Sequence, residues 1–391
     1  MKIAFIHEKK HAGTGAYFVN GLMSEKLREA GVSVASVFPK SPLLRVPIPM
    51  RGLTQILFYH ALIESRDEVM RCDLIQGTTF TPIAFLPLPI PVVSHFGSTT
   101  WGFLKAVPLT KDVEPALRPV WQSLLMARAV KRLSLHTRRP LRDIAEIERF
   151  VATQADAVIA TSAIVRDELL GAGVDPRRLF VVPNAIEDFW RGPAPRTVAD
   201  EPSLVFLGRL GSDAFTLRLK GLDRLIDFYE AFPRSKKQTV AMTANKALAS
   251  WLREAIPNHE LVANVEKSEI PKVLRPLAGS ILLVPSRYEG FSLSLVEGMS
   301  QGLIPVTYPV GIAPEIIRQG ENGYLIRTQA EGKRIIREIL RLSTERRLEI
   351  AREAWKTSRQ FSANTIARKL MRVHEKTIKS HVFVDANPPA V

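Results

Sequence analysis

Ser280-Ile-Leu-Leu-Val-Pro285 runs directly into Ser286-Arg-Tyr-Glu-Gly-Phe-Ser-Leu-Ser-Leu-Val-Glu297, and the change of pattern between the two blocks decides the fold. The first block is apolar, short and closed by a proline, like a buried strand. From Leu293 to Met299 apolar and polar residues recur at helical spacing instead. The segment therefore reads strand, tight turn, helix. Gly290 lets the backbone come close to a ligand. The amides of Phe291, Ser292 and Leu293 then lie at a helix N-terminus, where the macrodipole favours an anion. Glu289 and Glu297 stand eight positions apart, with Glu297 about two turns into the helix. The block thus offers a cradle for phosphate and two acceptors for hydroxyls, which is what a nucleotide-sugar site requires. A glutamate before a glycine at such a turn also occurs with no ligand at all, so the spacing alone leaves both readings open.

Other stretches fall in order around this one. Gly13-Thr14-Gly15 opens a strand-to-helix loop. Ala155-Asp-Ala-Val-Ile-Ala-Thr-Ser162 and Val182-Pro-Asn184 follow, then Val205-Phe-Leu-Gly-Arg-Leu210 and Lys220-Gly-Leu-Asp223. Gly302-Leu-Ile-Pro-Val306, Ala313-Pro-Glu315 and Glu321-Asn-Gly-Tyr-Leu-Ile326 complete the series. With the spaced glutamates, this ordered set resembles the retaining GT-B glycosyltransferases of glycosyltransferase family 4, whose E-x7-E signature matches Glu289 and Glu297. The resemblance covers most of the chain, from Gly13 to Ile326. It implies an α/β protein of two Rossmann-like, doubly wound domains facing a central cleft. The expected division is an acceptor-side domain over 1–195, a nucleotide-sugar domain over 203–360, and a last helix, 361–380, crossing back to the first. Three departures leave the donor open. Leu210 to Leu219 is longer than usual, Thr239-Val-Ala-Met-Thr-Ala244 lacks a glycine-rich ending, and Gly13-Thr14-Gly15 replaces two adjacent glycines.

The resemblance also implies roles. Arg209 and Lys220 belong on the donor diphosphate, with Gly290, Phe291, Ser292 and Leu293 lining its cradle. Glu297 accepts hydrogen bonds from the ribose, Glu289 from the donor sugar, and backbone near Val265 meets the base. In the first half, Gly13 and Gly15 approach the reacting sugar, and His95, in Val92-Val-Ser-His-Phe-Gly97, ends a strand beside it. Ser162 and Asn184 fit polar acceptor-side positions, although both also suit helix caps. A departing nucleoside diphosphate gains negative charge, which fixed cations in a dry site stabilise. No Asp-x-Asp occurs anywhere in the chain, so neutralisation is expected from Arg209, Lys220 and the helix amides, with no metal and no cofactor besides the nucleotide-sugar co-substrate. The expected activity is retaining, metal-independent transfer from a nucleoside-diphosphate sugar, uridine-linked, to a sugar or lipid-linked acceptor. Two alternatives stand beside it. A GT-B nucleotide-sugar epimerase would need further acid–base residues and no acceptor. A non-catalytic protein that binds a nucleotide-sugar or an anionic membrane would show no turnover.

Composition fits this reading. A chain of 391 residues with 46% hydrophobic and 24% charged residues is ordinary for a globular protein and long enough for two cores. Cys72 is the single cysteine, which excludes an internal disulfide and suits a reducing cytosol. Met1-Lys-Ile-Ala-Phe-Ile-His7 is too short for a signal peptide and reads as a first strand. Pro82, Pro87, Pro89 and Pro91 break the uncharged stretch from Leu74 to Leu104, so it reads as strand, short helix, strand rather than a membrane span. The net charge of +15 calls for an anionic partner. It is concentrated: Arg118, Arg128, Lys131, Arg132, Arg138, Arg139 and Arg142 follow one another with no acid between them. Trp121, Leu124, Leu125, Val130, Leu133 and Leu135 are interleaved. Such a segment suits an anionic lipid surface on the inner face of a membrane, or a solvated helix face over a core. Nucleic acid is set aside, because no nucleic-acid module accompanies the charge.

Elsewhere strands and helices alternate, as in a parallel α/β pattern. Strands are expected at Lys2–His7, Val32–Phe38, 73–76, 92–94, Ala157–Ala160 and Leu179–Val182, with a helix from Gly15 to Ala30. Pro193 and Pro195, with the polar stretch to Glu201, read as a linker. The pattern restarts at Ser203, and mixed-charge helices follow Ala330.

Overall fold

The computed structural model describes residues 1–7, 15–39, 62–130, 133, 135–211 and 213–386. Internal packing divides the chain into two units, Met1–Thr100 with Asp143–Ala185 and Ala363–Val391, and Trp101–Arg142 with Ile186–Ser362. Among the described residues no helix is long and apolar enough to cross a membrane.

The first unit is built on six parallel strands. They are β1 (Lys2–Ile6), β2 (Ser33–Val37), β3 (Leu74–Thr78), β4 (Val92–Phe96), β5 (Ala157–Ala160) and β6 (Leu179–Val181), in the order β2-β1-β3-β4-β5-β6. A strand in the middle of a parallel sheet is covered on both faces, so it is apolar throughout rather than alternating. Ile3, Ala4, Phe5 and Ile6 accordingly are all buried, with Ile3 opposite Leu74 on one side and Val34 on the other. The proline-rich stretch between β3 and β4 forms a 3₁₀ turn, Thr81–Phe85, and no long helix. The helix Ala363–Ala386 belongs to this unit. It buries Ile366, Ala367, Leu370 and Val373.

The second unit repeats the architecture. Its strands are β7 (Leu204–Arg209), β8 (Lys237–Met242), β9 (His259–Ala263), β10 (Ile281–Val284), β11 (Ile304–Thr307) and β12 (Tyr324–Leu325). All pair in parallel, in the order β12-β11-β10-β7-β8-β9. This is a doubly wound sheet whose connections reverse direction between β7 and β10, the place where such sheets bind ligands.

Two stretches depart from the sequence expectation. Residues 101–142, expected within the first domain at 1–195, belong to the second unit. Val113, Leu117, Val120, Trp121, Leu124, Ala129 and Val130 share a core with Leu204, Phe206, Leu217 and Leu222. Trp121 Nε1 donates to the buried Asp223 Oδ2 at 2.8 Å, and Asn245 Nδ2 donates to the Ala129 carbonyl at 2.7 Å. The apolar side of the basic stretch thus covers the protein's own core, as a solvated helix face does; among the described large apolar residues of the stretch only Met126 stands well out of it, 86% exposed. Lys131 and Arg132, and the side chains of Leu135, Arg138 and Arg139, lie outside the described residues. The expected linker is also fastened down. Val198 packs with Ala278 and Ala351, the Arg347 guanidinium donates to the carbonyls of Ala199 and Asp200, and Trp355 Nε1 donates to Gly192 O. A polar stretch can be rigid when its backbone carbonyls find buried donors.

Candidate active site

The reversal between β7 and β10 gathers the charged residues of the second unit. Arg209 ends β7, exposed, and makes no ion pair among the described residues. The longer stretch after it folds into a short helix, Ala214–Leu219, capped by Asp213, whose Oδ1 accepts from Thr216 N at 2.8 Å. Lys220 closes that helix and Gly221 turns the chain at φ 67°. A Cβ at Gly221 would sit 2.0 Å from the Pro285 carbonyl oxygen, so only glycine lets this turn lie against the end of β10.

The two loops are then laced together. Arg287 N donates to Leu219 O at 2.8 Å. The Arg287 guanidinium grips Asp223 in two-pronged fashion at 2.7 and 2.8 Å and also donates to Arg218 O. Both partners are almost fully buried, and Trp121 satisfies the same carboxylate. Beside this clamp, Lys220 Nζ meets Glu289 Oε1 at 2.7 Å, and Ser286 Oγ donates to the same oxygen at 2.7 Å. The Lys220–Glu289 pair is partly open, with side-chain exposures of 26% and 13%. Phe103 packs edge-on against Tyr288, the neighbour of Glu289.

The turn after Glu289 leads into the helix Leu293–Ser300. Ser292, at its N-cap, adopts φ 77° and makes no side-chain cap bond. Its Oγ is buried without a partner among the described residues. A non-glycine residue with positive φ, and an uncapped helix start, are unusual features that cluster at ligand sites. Gly311 supports the turn from behind: a Cβ there would lie 2.4 Å from Phe291 O.

Glu297 faces a group that sequence reasoning missed. Lys267 Nζ stands 3.1 Å from Glu297 Oε1 and 2.5 Å from Glu187 Oε1. All three side chains are largely buried, at 17%, 8% and 14% exposure for Lys267, Glu297 and Glu187. Burial pushes the Glu297 carboxyl above its ordinary range; the Lys267 charge opposes this and the Glu187 charge adds to it. For Lys267, burial alone would lower the ammonium, but Glu297 and Glu187 outweigh it and the net shift is upward. Lys267 lies two residues past Val265, which follows β9 on a loop pinned by two hydrogen bonds between Asn264 and Thr243. A signal was present: Lys267 and Glu187 both follow the C-terminal ends of strands in the series, where ligands bind.

The first-unit candidates divide. His95 ends β4 and is buried, which pulls its imidazole down to about 4. It lines a small cavity with Asn20, Gln76 and Asn184. Asn184 is buried, its Oδ1 without a partner among the described residues. Ser162 caps the helix Ala163–Gly171, accepting from Val165 N at 3.3 Å. Gly15 begins the helix Gly15–Glu29, and Gly13 lies outside the described residues.

With this geometry in view, the sequence matches known families. Residues 196–365 match the description "Glycosyl transferases group 1", and residues 23–188 match "Glycosyltransferase Family 4". The chain belongs to this glycosyltransferase family. Among relatives of the family-4 chain, alpha-maltose-1-phosphate synthase of Mycolicibacterium smegmatis is 27% identical over 216 residues, covering 47% of this chain and 51% of that protein. The chain spans about half to three-fifths of the length of several curated relatives that it matches. Solved structures share the whole architecture. Sucrose-phosphate synthase from Thermosynechococcus elongatus superposes with a TM-score of 0.73 at 16% identity, covering 97% of this chain and 99% of that one. HepE from Anabaena, in complex with UDP-glucose, gives 0.64 at 18% identity over 96% and 100%. Two six-stranded parallel sheets with their helices thus make a GT-B fold.

Proposed function

We propose that this family-4 glycosyltransferase is a retaining, metal-independent enzyme that moves a sugar from a nucleoside-diphosphate donor, uridine-linked, to a sugar or lipid-linked acceptor. The observation that carries the reading is the gathering of Arg209, the Lys220–Glu289 pair and the Leu293–Ser300 helix start at the sheet reversal, with Glu297 further along that helix. Arg209 and Lys220 take the diphosphate, joined by the amides of Gly290 to Leu293. As the glycosidic bond breaks, negative charge grows on the leaving diphosphate, and cations already fixed in place stabilise it without reorganising. Glu289, held by Lys220 and Ser286, accepts from the sugar hydroxyls, and Glu297 from the ribose diol. The base meets backbone near Val265. Binding of UDP-glucose by a structural neighbour supports a uridine donor. His95, Gly15 and Asn184 are assigned to the sugar and acceptor side. Ser162, already committed to its helix, serves there by holding the chain after β5.

The acceptor reading rests on charge. The exposed arginines of 118–142 favour a phosphate-bearing or lipid-linked acceptor, bound electrostatically rather than by insertion, because Trp121, Leu124, Val130 and Leu133 between them are buried. The test is a panel of UDP-, GDP- and ADP-sugars, read by nucleotide release, with and without lipid extract, and with and without chelator. Release from a UDP-sugar that depends on acceptor and survives chelation is expected. Loss in chelator restored by magnesium or manganese sinks metal independence. A changed sugar from donor alone makes the protein an epimerase, and binding without turnover makes it a carrier of the nucleotide-sugar.

A further inference from the structure

The Lys267 bridge is used by none of the roles above, and it lies on the residue assigned to the ribose. We infer that Lys267 and Glu187 are part of the donor site: the ammonium keeps the buried Glu297 carboxylate charged and aimed, and Glu187 anchors the ammonium from its far side. The inference rests on the proposed contact of Glu297 with the nucleoside.

The physical need is plain. A carboxylate that accepts both hydroxyls of a ribose must be ionised, and burial opposes ionisation. Glu297 is 6% exposed, with a second carboxylate, Glu187, on the same lysine. The charged groups acting on Glu297 are Lys267, Glu187 and Lys220, and Lys220 is already engaged by Glu289. Lys267 is therefore the counterion that decides the state of Glu297. Two carboxylates on one ammonium leave the triad with a single net negative charge, so Glu297 retains acceptor capacity for the diol. Glu187 lies at the entry to the second unit and Lys267 after β9, so elements distant in sequence converge on the helix that carries the signature.

The test is titration calorimetry of the full chain with whichever of UDP, GDP and ADP it binds, from pH 6 to 9. Each variant is compared with the unaltered protein at the same pH, and melting curves confirm folding. In Lys267→Met, affinity at pH 7 is expected to fall at least about tenfold and to recover as pH rises. Without its counterion the Glu297 carboxyl holds its proton more tightly, and in that form only its carbonyl oxygen accepts; base restores the second acceptor. Lys267→Arg keeps the charge and should stay within about threefold of the unaltered protein, with no added pH dependence. In the double variant Lys267→Met, Glu187→Gln, the recovery should move to lower pH, because the second negative charge is gone. Unaltered affinity in Lys267→Met at every pH overturns the inference. So does a weakening that does not change with pH, which would mean that the lysine touches the nucleotide or only braces the fold. Glu297→Gln separates the two levels. If it binds nucleotide like the unaltered protein, the reading of Glu297 itself fails. If it weakens binding while Lys267→Met does not, only the present inference falls.

Discussion

The two units differ in how they hold several buried titratable groups, although His259 of the second is also pulled down to about 4 by burial. In the second, buried charges are kept and paired: Arg287 with Asp223, Lys267 with Glu187 and Glu297, Lys220 with Glu289. In the first, buried titratable groups are neutralised. His95 is held down to about 4 and His374 to about 3 by burial, with His95 also lowering His374. His374 Nε2 shares a 2.5 Å hydrogen bond with Gln76 Oε1. Glu148 is pushed up to about 7 by burial, despite hydrogen bonds from Thr100 and Thr79. Standing charge inside a protein needs partners, whereas neutral side chains are buried with hydrogen bonds at lower desolvation cost.

The sharpest way to break this contrast is to remove one partner of a paired charge. Asp223→Ala leaves Arg287 buried and alone, and is expected to cost about 3–5 kcal/mol. Denaturant unfolding measures it; a loss below about 1 kcal/mol would show that the pair is not stabilising in this way. The first unit should instead reveal itself through pH. Glu148 has a folded value of about 7 against 4.5, so the folded state favours its protonated form. Its contribution is full below about 4.5 and is lost as pH rises toward 7, by up to about 3 kcal/mol. The histidines run the other way: depressed in the folded state, they contribute above about 6.5 and lose that contribution as pH falls toward 4. Thermal melts from pH 4 to 8 should therefore show opposing limbs, and Glu148→Gln should leave only the acid-side loss. A profile identical to that of the unaltered protein would remove Glu148 from the account.

A smaller effect separates the two signature glutamates. Losing one charged hydrogen bond is worth about 1.5–3 kcal/mol. Glu297→Gln should weaken free nucleoside diphosphate and raise KM, because the ribose contact is the same before and during reaction. Glu289→Gln should leave that affinity nearly intact and slow kcat, because the sugar changes shape and charge. The reverse pattern would exchange the roles. The smallest effect concerns the basic stretch. Arg128 is exposed, and Arg128→Ala should reduce binding to anionic vesicles by about fivefold at low salt, about 1 kcal/mol for one charge. Equal binding to neutral and anionic vesicles would confine the acceptor to soluble molecules.

Much of this was legible in the sequence because it was local. The strand from Ala157 to Ala160 was read to the residue, and the strand–turn–helix around Glu289 follows from pattern change and glycine placement alone. What stayed hidden was set by partners remote in the chain. Trp121 and Asp223 are 102 positions apart, and a tryptophan amid arginines reads equally as lipid-facing or core-facing until the core is known. Lys267 and Glu187 are 80 positions apart, and neither belongs to a motif. The stretch from Pro193 to Glu201 read as a linker because nothing local announces that Arg347 will hold the carbonyls of Ala199 and Asp200.

The chain changes unit after Thr100, Arg142, Ala185 and Ser362, and this has a consequence for synthesis. During translation, which delivers about 5–20 residues each second, the second unit has all its residues once Ser362 emerges. The first unit, begun earliest, must still wait for the helix at Ala363–Ala386 to cover Gln76. The half made first is finished last, so a growing chain exposes the unclosed face of its oldest sheet until the final helix arrives.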